Sequence, residues 1–91
     1  MQVDIREAKK DDLIDILNLY KQPDMDDGKV LSQEQAEKIF DRILSYPNYK
    51  VFVAIIDEKI IGTFALAVMD NLAHMGAPSG LIEDVVVKTE Y

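Results

Sequence analysis

The sequence predicts a layered α/β fold (α+β in the sense that helices cover one side of a mainly antiparallel sheet). Three observations carry that reading. Two segments have apolar residues at helical spacing and one has alternating apolar and polar residues. Two further runs rich in β-branched residues are joined by only three polar residues, which reads as a hairpin. The predicted order is strand, helix, helix, strand, strand, strand, in one partial domain spanning residues 1–91.

Each element has its own signal. Val3 and Ile5 alternate with Asp4 and Arg6, the pattern of a short half-buried strand. Asp11 or Asp12 can cap a helix whose apolar face is Leu13, Ile16, Leu17 and Tyr20. Pro23 and the run Asp24-Met25-Asp26-Asp27-Gly28 then form a loop. Ser32 with Gln35 three residues on is a capping box, and Ala36, Ile39, Phe40, Ile43 and Leu44 give the second helix its core stripe. Tyr46-Pro47-Asn48 breaks it. Val51 to Ile56 reads as a buried strand, Asp57-Glu58-Lys59 as a tight connection, and Ile60 to Met69 as the returning strand. Gly62 in that strand marks a bulge or a close backbone approach. Asp70 to Gly80 is a longer loop, and Leu81 to Val87 is a last, strongly apolar strand with nothing assigned to its far side.

Composition narrows the function classes. With 91 residues, 48% of them hydrophobic, the chain is globular in character. At that size only about 60–65% of the unfolded surface is buried, so the core is marginal unless a partner covers part of it. A net charge of −7 argues against nucleic acid, which needs clustered Lys and Arg, and leans towards a cationic small molecule or basic partner. The absence of cysteine excludes disulfides and thiol catalysis and fits a reducing, cytoplasmic compartment. The longest apolar stretch, Ile60 to Met69, is about half of what a bilayer requires, so no membrane partner is expected.

At the far end the residues match a known family. A strand, two helices, a hairpin and then Ile82-Glu83-Asp84-Val85-Val86-Val87-Lys88-Thr89-Glu90-Tyr91 resembles the N-terminal half of a GNAT-superfamily N-acetyltransferase. The resemblance implies an incomplete GNAT fold, ending just before the Arg/Gln-x-x-Gly-x-Gly/Ala loop that holds the pyrophosphate of acetyl-coenzyme A at a helix N-terminus. It implies an enzyme that moves an acetyl group from acetyl-CoA to a primary amine, with residues 1–91 alone inactive. The Ile82-Glu83-Asp84 step looks like the Leu-Glu-Asp step of the spermidine/spermine acetyltransferases, which makes Glu83 the candidate general base. The backbone of Val85 and Val87 matches the strand end that, in the family, binds the acetyl carbonyl and the pantetheine arm. The family's usual Tyr general acid has no counterpart here, and Tyr91 is not that acid.

The chemistry asks for such a base, because a protonated ammonium has no lone pair and a nearby carboxylate can take its proton. Simple strand alternation puts Glu83 on one face with Val85 and Val87, and Asp84 on the other with Ile82 and Val86. The competing reading is that both acids are solvated charges protecting an edge strand. His74, the sole histidine, is a candidate acceptor contact, against an ordinary exposed loop histidine. Asp26 and Asp27, with Asp24, could attract a cationic acceptor, against a plain solvated loop. They lack the twelfth-position ligand of a calcium loop, and no Cys or second His joins His74, so no metal site is expected. Met25, Met69 and Met75 read as gap-fillers, and Tyr20, Phe40 and Phe52 as core aromatics. Three serines, none in a nucleophile elbow, and no Gly-rich phosphate loop complete the search.

A second reading is a non-catalytic half-domain that self-associates. The open edge of Leu81–Val87 would pair with the same strand of another copy, making a homodimer.

Overall fold

The computed structural model describes residues 2–23, 25 and 28–91. Its strands are β1 (Asp4–Glu7), β2 (Tyr49–Ile56), β3 (Lys59–Met69) and β4 (Ser79–Val87). Its helices are α1 (Leu13–Tyr20), preceded by a 3-10 turn at Lys10–Asp12, and α2 (Gln33–Leu44). The strands form one sheet in the order β1-β2-β3-β4, every neighbour antiparallel. Fold class and element order are those expected. Among the described residues no helix is long and apolar enough to cross a membrane.

α2 begins as its capping box dictates. Gln35 N–H donates to Ser32 Oγ at 3.2 Å, and Ser32 N–H donates back to Gln35 Oε1 at 3.1 Å. Two of the helix's orphan donors are thereby satisfied. α1 starts differently from the expected Asp cap. Asp12 accepts from the N–H of Lys9, three residues upstream, at 2.7 Å, so it closes the preceding 3-10 turn rather than capping α1 with its own side chain. The β2–β3 turn has only Asp57 and Glu58 between paired Ile56 and Lys59, both with positive φ (50° and 65°). That is the signature of a type I′ hairpin.

The core lies between the helices and one face of the sheet. Leu13, Ile16, Leu17 and Leu19 of α1 and Ala36 and Phe40 of α2 are buried with Val53, Ile60 and Val86. Ile39 and Ile43 are half-buried and Leu44 is exposed, so the apolar stripe of α2 is wider than the surface it covers.

The opposite face of the sheet holds a second apolar layer, and this corrects three expectations. In β1, Arg6 pairs with the fully buried Val53 and so shares the helix-side face, while Ile5 pairs with Ala54 on the other. Val3 and Ile5 are therefore exposed, and the helix-side face of β1 carries Arg6, which Asp12 neutralises. Phe52 is likewise on the far face, stacked on Phe64 at 5.2 Å rather than in the core. Met75 is fully exposed and Met69 half so; only Met25 packs against the core as a gap-filler. Two-sided apolarity defeats alternation as a guide, because a period of two says nothing about which face the helices choose.

Gly62 shows both properties read from it. The register shifts beside it, where Ala54 pairs with Gly62 but Ile55 with Ile60, leaving Ile61 as the bulged residue. A Cβ at Gly62 would lie 3.1 Å from the carbonyl oxygen of Val86, so the missing side chain lets β3 and β4 approach.

Candidate active site

The site is built where β4 breaks its own regularity. Thr63 pairs with Val86 and Ala65 with Glu83, so Asp84 and Val85 together face Phe64 alone. This is a β-bulge, and Asp84 takes its left-handed position at φ 54°. An aspartate tolerates that conformation better than most residues because its short polar side chain can bond locally. The extra residue resets the alternation. Glu83 and Val86 now share the helix-side face with Thr63 and Ala65, and Val87 falls on the other face opposite Gly62. The grouping of Glu83 with Val85 and Val87, read from plain alternation, is thus corrected by one inserted residue.

On that face Glu83 meets Tyr49. The phenol of Tyr49, at the start of β2, donates to Glu83 Oε1 at 3.0 Å. The two residues are on strands separated by β3, and the residues of β3 between them are Ala65 and Ala67. Methyl side chains leave the phenol room to cross. Desolvation of the phenol, then its hydrogen bond to Glu83, and then the charges of Glu83 and Asp84 push the Tyr49 pKa up to about 12, with Tyr20 adding to the same effect. Tyr49 is thus a protonated donor throughout the neutral range. Tyr46 packs edge-on against its ring at 6.4 Å. Tyr49 and Tyr46 also line a cavity of about 120 Å³ under α2, with Phe40, Ile43 and Val51.

The outer edge of β4 is the second part of the site. Lys88 N–H donates to Ile61 at 2.8 Å, which directs Lys88 and Val86 towards β3 and the backbone of Val87 away from it. The Val87 carbonyl accepts from Gln22 Nε2 at 3.0 Å, and Thr89 N–H donates to Gln22 Oε1 at 3.2 Å. One side chain just beyond the end of α1 thereby ties down the end of β4.

Of the residues singled out in the sequence, Glu83, Val85 and Val87 come together on β4. His74 stands apart, exposed in the loop between β3 and β4, where it and Met75 both have positive φ. No described hydrogen bond or ion pair joins it to Glu83. Asp24, Asp26 and Asp27 lie outside the described residues. Sequence reasoning missed Tyr49 and Gln22. Tyr49 sat at a strand boundary with no motif, and its partnership with Glu83 spans 34 residues. Among the described residues there is no cluster of His, Cys, Asp and Glu able to hold a metal.

No family model matches the sequence. The fold, however, is similar to those of solved acetyltransferases. A candidate acetyltransferase from Agrobacterium tumefaciens superposes with a TM-score of 0.81 at 29% identity, covering 96% of this chain and 60% of that one. Glucosamine-6-phosphate N-acetyltransferase from Arabidopsis thaliana gives 0.79 at 24% identity, covering 99% and 63%. A GNAT family acetyltransferase from Staphylococcus aureus gives 0.80 at 20% identity, covering 100% and 66%. The fold is that of a GNAT-superfamily acetyltransferase over the part these residues span, as the resemblance implied. The chain spans about three fifths of the length of the first two of these structures.

Proposed function

We propose that the chain is part of an N-acetyltransferase that transfers an acetyl group from acetyl-CoA to a primary amine. The observation that carries this reading is the bulge at Asp84–Val85. It puts the Glu83 carboxylate on the helix-side face while the backbone beyond it turns to the free edge of the sheet.

In this reading Glu83 takes the proton that the ammonium must lose before its nitrogen can attack. The new C–N bond forms as the thioester C–S bond breaks, the sulfur leaves as thiolate, and the second proton of the attacking nitrogen passes through solvent to that thiolate. The backbone of Val85 and Val87 is proposed to hold the acyl arm of acetyl-CoA alongside β4, beside the Gln22 side chain that already bonds the Val87 carbonyl. Among the described residues none forms a glycine-rich turn opening a helix for the pyrophosphate. Turnover therefore belongs to the whole protein, and residues 1–91 alone are expected to be inactive. Asp84 in the bulge, Glu83 beside it and the net charge of −7 favour a cationic acceptor. His74, Asp26 and Asp27 are proposed as its outer contacts.

The test is acetyl transfer from acetyl-CoA to a panel of primary amines, by the protein expressed from its gene and by residues 1–91 alone. Turnover by the first, lowered about 10²-fold by Glu83→Gln, is expected. Absence of acetylated amine throughout, or full activity in Glu83→Gln, overturns the reading.

Self-association is the second reading, favoured by the outer edge of β4, against which no described strand pairs, and by the exposure of Leu81, Ile82, Val85 and Val87 on it. Light scattering on residues 1–91 decides it. A dimer that Val85→Lys converts to monomer supports it, and a strict monomer at high concentration removes it.

A further inference from the structure

We propose that Tyr49 is a positioning residue for Glu83, fixing one carboxylate oxygen so that the other is presented to the acceptor amine. The inference rests on the reading of Glu83 as the base and names a residue which that reading does not supply.

The argument is geometric. A glutamate on an edge strand has three rotatable side-chain bonds and, left in solvent, samples many rotamers. Here Oε1 accepts from the Tyr49 phenol at 3.0 Å, a distance at which the bond is made. The donor is not a floppy side chain. Its backbone belongs to β2, paired to Ala67; its ring is held edge-on by Tyr46 and half-buried beside Phe40 and Ile43. Rigidity therefore passes from the sheet to the carboxylate through one hydrogen bond. The span across β3 is open only because Ala65 and Ala67 are small.

The division of labour between the oxygens follows. Oε1 already shares one of its lone pairs with the phenol, which makes Oε2 the more basic oxygen towards an amine proton. The phenol cannot itself do that work, since it remains protonated at the pH where amines are acylated. Nor is it a substitute acid for the leaving thiolate, because a phenol held so tightly gives up its proton less readily than a thiol does. What remains is orientation, the factor that determines whether a base meets its proton at reacting distance.

The test uses residues 1–91 with Tyr49→Phe, which keeps the ring and deletes the donor. In the unmodified chain the two γ protons of Glu83 are expected at separate NMR shifts, as for a side chain held in one rotamer. In Tyr49→Phe they should merge, with the backbone amide spectrum otherwise retained. In acetyl-transfer assays of the whole protein the same change should lower kcat about tenfold and leave KM within about twofold. Merged γ-proton shifts already present in the unmodified chain, or separate shifts that survive Tyr49→Phe, overturn the proposal. If Tyr49→Phe frees Glu83 while Glu83→Gln leaves acetyl transfer untouched, the positioning stands and the assignment of Glu83 as base is what fails. If Tyr49→Phe unfolds the chain, Ala67→Leu provides the second variant. Its larger side chain, directly opposite Tyr49, fills the path between the phenol and the carboxylate while leaving both groups chemically intact, and it should merge the same signals.

Discussion

The guanidinium of Arg6 grips both carboxylate oxygens of Asp12, Nη1 to Oδ2 at 2.7 Å and Nη2 to Oδ1 at 3.0 Å, and so joins the edge strand β1 to the start of α1. Asp12 also accepts from Lys9 N–H at 2.7 Å. The carboxylate is buried and its pKa lies below the usual range, first because of the hydrogen bond from Arg6 and then the backbone donor. The pair puts a charge on the core face of β1, and its partner answers that charge.

Asp12→Asn should destabilise the chain by about 1–2 kcal/mol, the lower part of the range for a charge-assisted bond because the Arg6 side chain is 38% exposed. The pH dependence has a definite sign. A folded-state pKa below the unfolded value means the unfolded chain binds more protons, so the contribution is present above the unfolded Asp value near 4 and is lost as pH falls below it. Urea unfolding at pH 7 and at pH 3 checks this. The stability gap between the two proteins should be clear at pH 7 and shrink at pH 3. A gap unchanged by pH contradicts the assignment.

Tyr49 behaves in the opposite sense. Its pKa of about 12 exceeds the ordinary 10, so the folded chain holds the phenolic proton longer than the unfolded chain. Stability from this group is complete below pH 10 and is lost as pH rises from 10 to 12, by at most about 2–3 kcal/mol. Tyrosine absorbance should show Tyr49 titrating late, an assignment that its loss in Tyr49→Phe checks. In Glu83→Gln that midpoint should fall yet stay above 10, because desolvation is the larger cause and remains. A late-titrating tyrosine unmoved by Glu83→Gln would separate the raised pKa from the hydrogen bond.

Gly62→Ala tests how closely β3 and β4 must approach. The new methyl would meet the Val86 carbonyl at 3.1 Å, and backbone on a paired strand has little room to give. A loss of about 1–2 kcal/mol is expected. Amide shifts of Val86, Val87 and Lys88 should move more than those of β1. Unchanged stability and shifts would show that β4 is free to retreat.

How much of this was legible beforehand depends on range. The elements whose signals are local came out of the sequence: the Ser32–Gln35 box, the Asp57–Glu58 turn and the irregularity at Gly62 each involve residues within a few positions of one another. So did the GNAT-like end, because Glu83 and Asp84 stand in a short recognisable step. What alternation could not supply was the side of the sheet. Ile5 and Phe52 are apolar and still face away from the helices, while Arg6 faces towards them because a charge six residues later neutralises it. Nor could alternation survive the bulge at Asp84–Val85, where one residue in a left-handed conformation exchanges the faces of everything beyond it. Tyr49 is the extreme case. Its role depends on two alanines of an intervening strand and on a carboxylate in β4, none of which is local to it.

The β2–β3 turn offers a stabilising change. Asp57 and Glu58 both occupy left-handed backbone, and a type I′ turn prefers Asn or Asp followed by Gly. Asp57 suits the first place. Glu58 does not suit the second, since a side chain there costs about 1 kcal/mol that glycine avoids. The flexibility that glycine adds to the unfolded chain offsets part of this gain. Glu58→Gly should therefore stabilise by about 0.5–1 kcal/mol, a rise in Tm of roughly 2–8 °C for a domain of this size. The turn lies at the opposite end of β3 from Ala65 and Ala67, so the Tyr49–Glu83 bond should be untouched, with the late tyrosine titration unchanged. A lower Tm in Glu58→Gly would mean that the Glu58 side chain makes a stabilising contact outweighing its backbone strain.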